Sequence, residues 1–256
     1  MELKDYLARI WRAVIEFDLL TENDSILIGL SGGKDSLFMT YALREIQKYA
    51  PFNFRLGVYT MDGMFSDNFP IESLSEFCST LNLPFHSEQV NIKGIIENQN
   101  GKDPCYSCAF FRRGAINNYA KVNGYNKVAY AHHNDDFVET FLMNILQSGQ
   151  LGTFQPKTYL DRTGITVIRP LCYLREHELV NTHRITGISP IKNPCPFDGK
   201  TKRQETKELI RLLEQTNSDL YSHISSAMRH DKPPQLWPPA FSKDKSRELF
   251  CRFWRK

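Results

Sequence analysis

The chain has 256 residues, 41% of them hydrophobic and 24% charged, which is ordinary for a soluble globular protein and long enough for one large domain or two small ones. No apolar run approaches the roughly 18–20 residues that span a bilayer, and Met1-Glu2-Leu3-Lys4-Asp5 does not open a signal peptide, so the expected location is the cytoplasm with no membrane partner. The net charge of +3 is unevenly spread: residues 200–256 carry 13 Lys/Arg against 7 Asp/Glu, and the rest of the chain is slightly acidic. A polyanion such as RNA accounts for that basic region, but so does a solvated helix with a loose tail, and charge alone favours the second.

Leu3, Leu7, Ile10, Val14 and Phe17 recur at helical spacing and predict an N-terminal amphipathic helix. Strand-like runs follow at 25–30, 54–60, 84–90, 127–131 and 165–168, with helix-like segments between them at 36–49, 71–81, 107–123 and 135–147. This alternation predicts an α/β protein with a doubly wound, parallel, five-stranded sheet, whose ligands bind at the carboxyl ends of the strands. After Pro170 the pattern turns helical at 175–186 and 202–214 and then degrades; "DKPPQLWPPAFSKDK" has four prolines and reads as a linker or a surface-wrapping tail.

The first strand ends in "LSGGKDS", Leu30 to Ser36. Adjacent glycines let backbone N–H groups converge where a helix starts and its dipole favours an anion, so the loop suits phosphate. It is not the P-loop of Gly, four residues and Gly-Lys-Ser/Thr: only three residues separate Gly29 from Gly33, and Asp35 stands where the hydroxyl residue belongs. The loop instead resembles, without a mismatch, the SGGxDS loop of the N-type ATP pyrophosphatases, which holds the pyrophosphate half of ATP. That resemblance implies ATP on Leu30, Ser31, Gly32, Gly33, Lys34, Asp35 and Ser36, with Lys34 adding positive charge and Asp35 holding Mg2+, a hard cation that prefers carboxylates.

A second strand end carries "HHNDD", His132 to Asp136. Alone it fits a helix cap followed by surface charge, or a zinc site. Beside SGGKDS it resembles the HHxDD segment of the tRNA 2-thiocytidine synthetases and the tRNA-Ile lysidine synthetases. This implies His133 at the nucleotide and a catalytic Asp135 near the α-phosphate, as a Mg2+ partner or an orienting group.

Six cysteines at irregular spacing do not look like a disulfide framework, and Cys105 and Cys108 form a close pair at a helix start, followed by Arg112-Arg113. The dipole and the arginines both favour the thiolate, and the pair alone is compatible with half of a zinc site, a redox dithiol or two ligands of an iron–sulfur cluster. Cys195 sits between prolines in "SPIKNPCPFDGKTKRQE"; Cys78 and Cys172 read as buried small hydrophobes, and Cys251 lies in the tail.

Taken in order, "PC..C...RRG", HHxDD, "RPL" (Arg169 to Leu171) and Cys195 resemble the tRNA 2-thiocytidine synthetase family from about residue 25 to about residue 215. The resemblance implies an adenine nucleotide alpha hydrolase-like fold. It also implies a 4Fe-4S cluster on Cys105, Cys108 and Cys195, with one iron open to sulfur. The partners it implies are tRNA, at position 32 of the anticodon loop, and a cysteine desulfurase or other sulfur donor, and it leaves a homodimer open. The chain departs from the family at Ala131, where Gly is usual, and beyond about Asp231. The expected organisation is an N-terminal helix (1–22), an ATP pyrophosphatase domain (23–190) and a C-terminal extension (191–256) packed on the same unit. A lysidine-type ligase shares the ATP site but has no use for three cysteines; a nucleotide-binding iron–sulfur redox sensor would use both and form no product.

Overall fold

A computed structural model describes residues 2–66, 68–98, 104–191, 195, 202–229 and 242–254. In chain order its helices are α1 (Leu3–Glu16), α2 (Lys34–Tyr49), α3 (Ile71–Thr80), α4 (Ile92–Asn98), α5 (Pro104–Val122), α6 (Asn134–Met143), α7 (Glu176–Leu179), α8 (His183–Thr186), α9 (Lys202–Glu214), α10 (Leu220–Ala227) and α11 (Lys243–Trp254). A π-helical turn, Asn144–Ser148, extends α6. The strands are β1 (Ser25–Gly29), β2 (Arg55–Asp62), β3 (Phe85–Gln89), β4 (Lys127–Ala129), β5 (Lys157–Leu160) and β6 (Ile165–Ile168).

The strands form one sheet in the order β3-β2-β1-β4-β6-β5. The five expected strands are all present and mutually parallel, in register from Ile28 to Val58 on one side and to Ala129 on the other. The expectation of five is corrected to six by β5, which pairs antiparallel with β6 at the edge. Its four residues are at best half-buried, and Tyr159 is exposed, so this strand lacks the apolar signal that marks the central ones.

Alternation along β1 divides the core. Ile26 and Ile28 face α1, α2 and α3, while Leu27 joins Ile116 and Ala120 of α5 with Tyr59, Val128 and Ile165 on the opposite face. The N-terminal helix is part of this core, since Tyr6, Ile10, Ala13 and Val14 are buried and the Tyr6 ring lies edge-on to Phe38 at 4.9 Å. At the amino ends of the strands, Lys127 Nζ is buried 2.6 Å from Asp24 Oδ2 and donates to Leu19 O. The opposite ends are thereby left to the phosphate loop and the HHxDD segment.

The helix expected over 175–186 is two short helices, α7 and α8, separated at Val180–Thr182. Helix α9 docks on α6 through Arg203, which reaches Asp136, Glu139 and Thr140, and through Ile210, which packs with Val138 and Tyr221. Helices α10 and α11 form where the pattern was read as degraded. The Pro-rich stretch 231–241 lies outside the described residues, as do the side chains of Phe253 and Trp254.

Candidate active site

The chain leaves β1 at Gly29, and Leu30 N donates to Tyr59 O, which fixes the loop against β2. Gly32 has φ +82°, the left-handed region that favours glycine, and its carbonyl accepts from Ile191 N at 2.9 Å. Gly33 then caps α2. Ser31 Oγ lies 3.0 Å from Ser36 Oγ, which in turn accepts from Ser31 N and donates to Gly33 O. The hydroxyls satisfy one another in a loop at a helix start, where backbone amides and the helix dipole favour an anion. Lys34 Nζ lies 3.1 Å from Asp35 Oδ2 and 3.7 Å from Glu176 Oε1. Asp35 Oδ1 is buried with no hydrogen-bond partner, and an orphaned carboxylate oxygen beside a phosphate cradle fits Mg2+.

Beside it stands the HHxDD segment. His133 precedes α6 in extended conformation and donates its backbone N–H to Asp136 Oδ2 at 2.9 Å. Asp135 is buried, and its carboxylate receives Arg175 Nε at 3.1 Å and Glu176 N at 2.7 Å. Burial works to raise its pKa, but the His133 imidazole, the Glu176 amide and the Arg175 guanidinium together hold it below the usual carboxylate range. An acid engaged in this way holds Arg175 and the start of α7 against the HHxDD segment. His133 shows the reverse balance: burial lowers its pKa, yet Asp135, Asp136 and Asp35 raise it. Asp35 acting on His133 joins the two motifs into one site.

Sequence reasoning missed Arg175, Glu176 and Arg203. Arg175 lies over the Tyr221 ring at 3.3 Å and binds Asp135, while Glu176 joins Lys34 to Lys207. The only local signal is a charged run, "REHE", which looks like any solvated turn.

His132 packs its ring against Phe154 at 5.0 Å, and burial, the largest influence, pushes its pKa down to about 4. A histidine lowered in the fold gives stability above its unfolded pKa of about 6.5 that is lost as pH falls toward about 4. Replacing it with a non-titrating His132→Phe should therefore shift the wild-type-minus-variant stability difference against the wild type, by on the order of 1–2 kcal/mol between about pH 7 and about pH 5. Thermal melts of both proteins at the two pH values check this.

Cys105 is exposed, and Cys108 and Cys195 are half-buried. The expected bias toward thiolate is corrected: burial and the neighbouring thiols of Cys195 and Cys108 push Cys105 up, and at Cys108 burial outweighs the lowering by Arg112. Cys195 acts electrostatically on both, so the three thiols are neighbours. Among the described residues, no three His, Cys, Asp or Glu side chains are gathered to metal-ligand spacing. The donor chemistry, three neighbouring thiols and a guanidinium, suits a sulfur-ligated cluster. Cys78 and Cys172 are buried as expected, and both are pushed up to about 12 by burial.

Between the phosphate loop and α5 lies a cleft of about 210 Å³, walled by Leu30, Ser31, Tyr59, Met61, Arg112 and Tyr130. It adjoins both the cradle and the Arg112 end of the cysteine pair.

Over residues 6–211 the chain matches the family model of a PP-loop domain. It is 33% identical over 230 residues to a tRNA-cytidine(32) 2-sulfurtransferase of Alcanivorax borkumensis, covering 88% of this chain and 80% of that relative. A relative of the same name from Pelobacter propionicus is 33% identical over 231 residues, covering 89% and 86%. Among solved structures, the U34-tRNA thiolase NcsA from Methanococcus maripaludis with its [4Fe-4S] cluster superposes with a TM-score of 0.72 at 22% identity, covering 90% of this chain and 79% of that one, a likeness of fold. With an SGGKDS cradle and an HHxDD segment meeting at the carboxyl ends of a parallel sheet, and with relatives matched over most of both chains, the protein belongs to the PP-loop family and, within it, to the tRNA-cytidine(32) 2-sulfurtransferases.

Proposed function

We propose that the protein is an ATP-dependent tRNA sulfurtransferase that converts a cytidine at position 32 of the anticodon loop to 2-thiocytidine, releasing AMP and pyrophosphate. The observation that carries this reading is the orphaned Asp35 carboxylate oxygen beside the phosphate cradle, joined electrostatically to His133, in a chain whose relatives bear that activity in their name. The C2 oxygen of cytosine is a poor leaving group. Its attack on the α-phosphate of ATP expels pyrophosphate and makes it an adenylate, which sulfur then displaces as AMP.

The geometry of the site supports this assignment of roles. Ser31 and Ser36 exchange their mutual hydrogen bonds for pyrophosphate oxygens, backbone amides of Gly32 and Gly33 add donors, and Lys34 adds charge. Asp35 would hold Mg2+ through its unpartnered oxygen. His133, its pKa raised by Asp135, Asp136 and Asp35, stands beside the cradle, and Asp135 orients Arg175 and the start of α7. Cys105, Cys108 and Cys195 would hold a 4Fe-4S cluster, whose chemistry would be to present sulfur as a nucleophile. A cysteine desulfurase or other donor delivers that sulfur in the cytoplasm, and the enzyme is open to working as a homodimer. The division into 1–22, 23–190 and 191–256 is retained as three parts of one unit, supported by the burial of α1 in the core and the docking of α9 on α6.

Nucleoside analysis of tRNA from a deletion strain tests this reading, with loss of 2-thiocytidine as the expected result. Complementation by Cys105→Ala, Cys108→Ala or Cys195→Ala should fail, and each purified anaerobically should lose the brown iron–sulfur absorption, whereas Cys251→Ala should restore both. Undiminished 2-thiocytidine in the deletion strain would sink the assignment.

A further inference from the structure

Three polar atoms at the carboxyl ends of β4 and β6 are buried without a hydrogen-bond partner: Tyr130 Oη, His132 Nδ1 and Arg169 Nε. They belong to one cluster. The Tyr130 and His132 rings are 5.9 Å apart, the His132 ring is 5.0 Å from Phe154, and the Arg169 guanidinium lies 4.8 Å from the centre of that same Phe154 ring. Arg169 is held from its other side, where Nη1 donates to Gln155 O and Thr158 Oγ1, so its position is fixed while Nε–H stays unused. Tyr130 also walls the cleft that contains Leu30 and Ser31 of the ATP loop. Buried polar groups in folded proteins nearly always have partners, and three orphans in one cluster beside a reaction centre indicate a ligand that supplies them.

The geometry points to Tyr130, His132 and Arg169 as the pocket that reads the base to be thiolated and selects cytosine over uracil. This deepens the sulfurtransferase reading and rests on it. Along its Watson–Crick edge cytosine presents the O2 acceptor, the N3 acceptor and the N4 amino donor, whereas uracil presents an N3–H donor and an O4 acceptor. Arg169 Nε–H is a donor only and matches cytosine N3; against uracil N3–H it meets another donor. His132 has its pKa lowered to about 4 by burial and is neutral near pH 7, so with the proton on Nε2 its Nδ1 accepts from the N4 amino group. Tyr130, on the wall shared with the phosphate loop, donates to O2 and holds that oxygen toward the α-phosphate.

The test uses the full chain with its cluster reconstituted anaerobically, ATP, Mg2+ and sulfide, and two tRNA transcripts differing only by cytidine or uridine at position 32. The wild type should thiolate the cytidine transcript alone. Arg169→Lys and His132→Phe should each lower the cytidine-over-uridine ratio of kcat/KM about ten- to hundredfold, the usual weight of one base-edge contact, with ATP affinity unchanged. Tyr130→Phe removes only an unpartnered hydroxyl, so it should keep or raise Tm while lowering turnover of the cytidine transcript about tenfold or more. This variant keeps the inference testable if Arg169→Lys fails to fold. Full activity in Tyr130→Phe, or wild-type selectivity in the other two, overturns the base pocket alone. A wild type inactive on both transcripts overturns the sulfurtransferase reading and the pocket with it.

Discussion

Asp35→Asn should lower ATP-dependent thiolation by roughly a thousandfold or more while leaving the melting temperature nearly unchanged, because the residue contributes far more to the charge balance of the reaction than to the fold. Its pairing with Lys34 is partly solvent-exposed, and such a pair contributes about 0–1 kcal/mol to stability. Its other oxygen has no protein partner at all, so the amide removes a negative charge and breaks no contact on that side. A metal bound to ATP would lose a carboxylate ligand just where charge builds on the leaving pyrophosphate. Single-turnover thiolation and a thermal melt on the same preparation separate the two contributions. A variant with wild-type turnover would remove Asp35 from the metal site, and one that melts far below the wild type would make it a structural residue.

What was legible in the sequence was local. The phosphate loop is one strand end, one turn and one helix start in seven consecutive residues, and β1 and α2 form as the residue pattern requires. Strands β1, β2, β4 and β6 were legible because they lie inside the sheet and bury apolar residues in runs, whereas β3, at the other edge and only half-buried, was legible from its place in the strand–helix alternation. Strand β5 was not, since an edge strand of four half-buried residues carries little pattern. The partners of Asp135 were invisible for another reason: Arg175 and Glu176 arrive from about forty positions along the chain, and nothing in "REHE" distinguishes a buried ion pair from a solvated one. The expected thiolate bias of Cys105 and Cys108 turned on a balance of forces. A helix start and two arginines argue for a thiolate, but burial, and the cost of placing a negative charge beside a neighbouring cysteine sulfur, act against it at Cys105 and Cys108. Local charge was readable; the desolvation that outweighs it is a tertiary property.

Gly32→Ala should disable both halves of the chemistry at once. At φ +82° an L-residue is strained, by about 1–2 kcal/mol in the left-handed region. An added Cβ would also stand 2.5 Å from Ile191 Cδ1 and 3.2 Å from Ile191 Cβ. The side-chain tip can swing away, but the 3.2 Å approach to Ile191 Cβ obliges the chain there to give by a few tenths of an ångström, which weakens the 2.9 Å bond from Ile191 N to Gly32 O. Ile191 stands four positions before Cys195, so a displacement of the chain at Ile191 is close in sequence to the third cysteine. The expected result is a loss of about 2 kcal/mol in stability, with weaker ATP binding and reduced iron–sulfur content together. Ile191→Ala is the control for coupling, because it leaves the glycine conformation intact and trims only the side chain packed beside it. It should keep most of the ATP affinity while lowering cluster content. Equal ATP binding and full cluster occupancy in Gly32→Ala would show that the phosphate loop and the third-cysteine segment act independently.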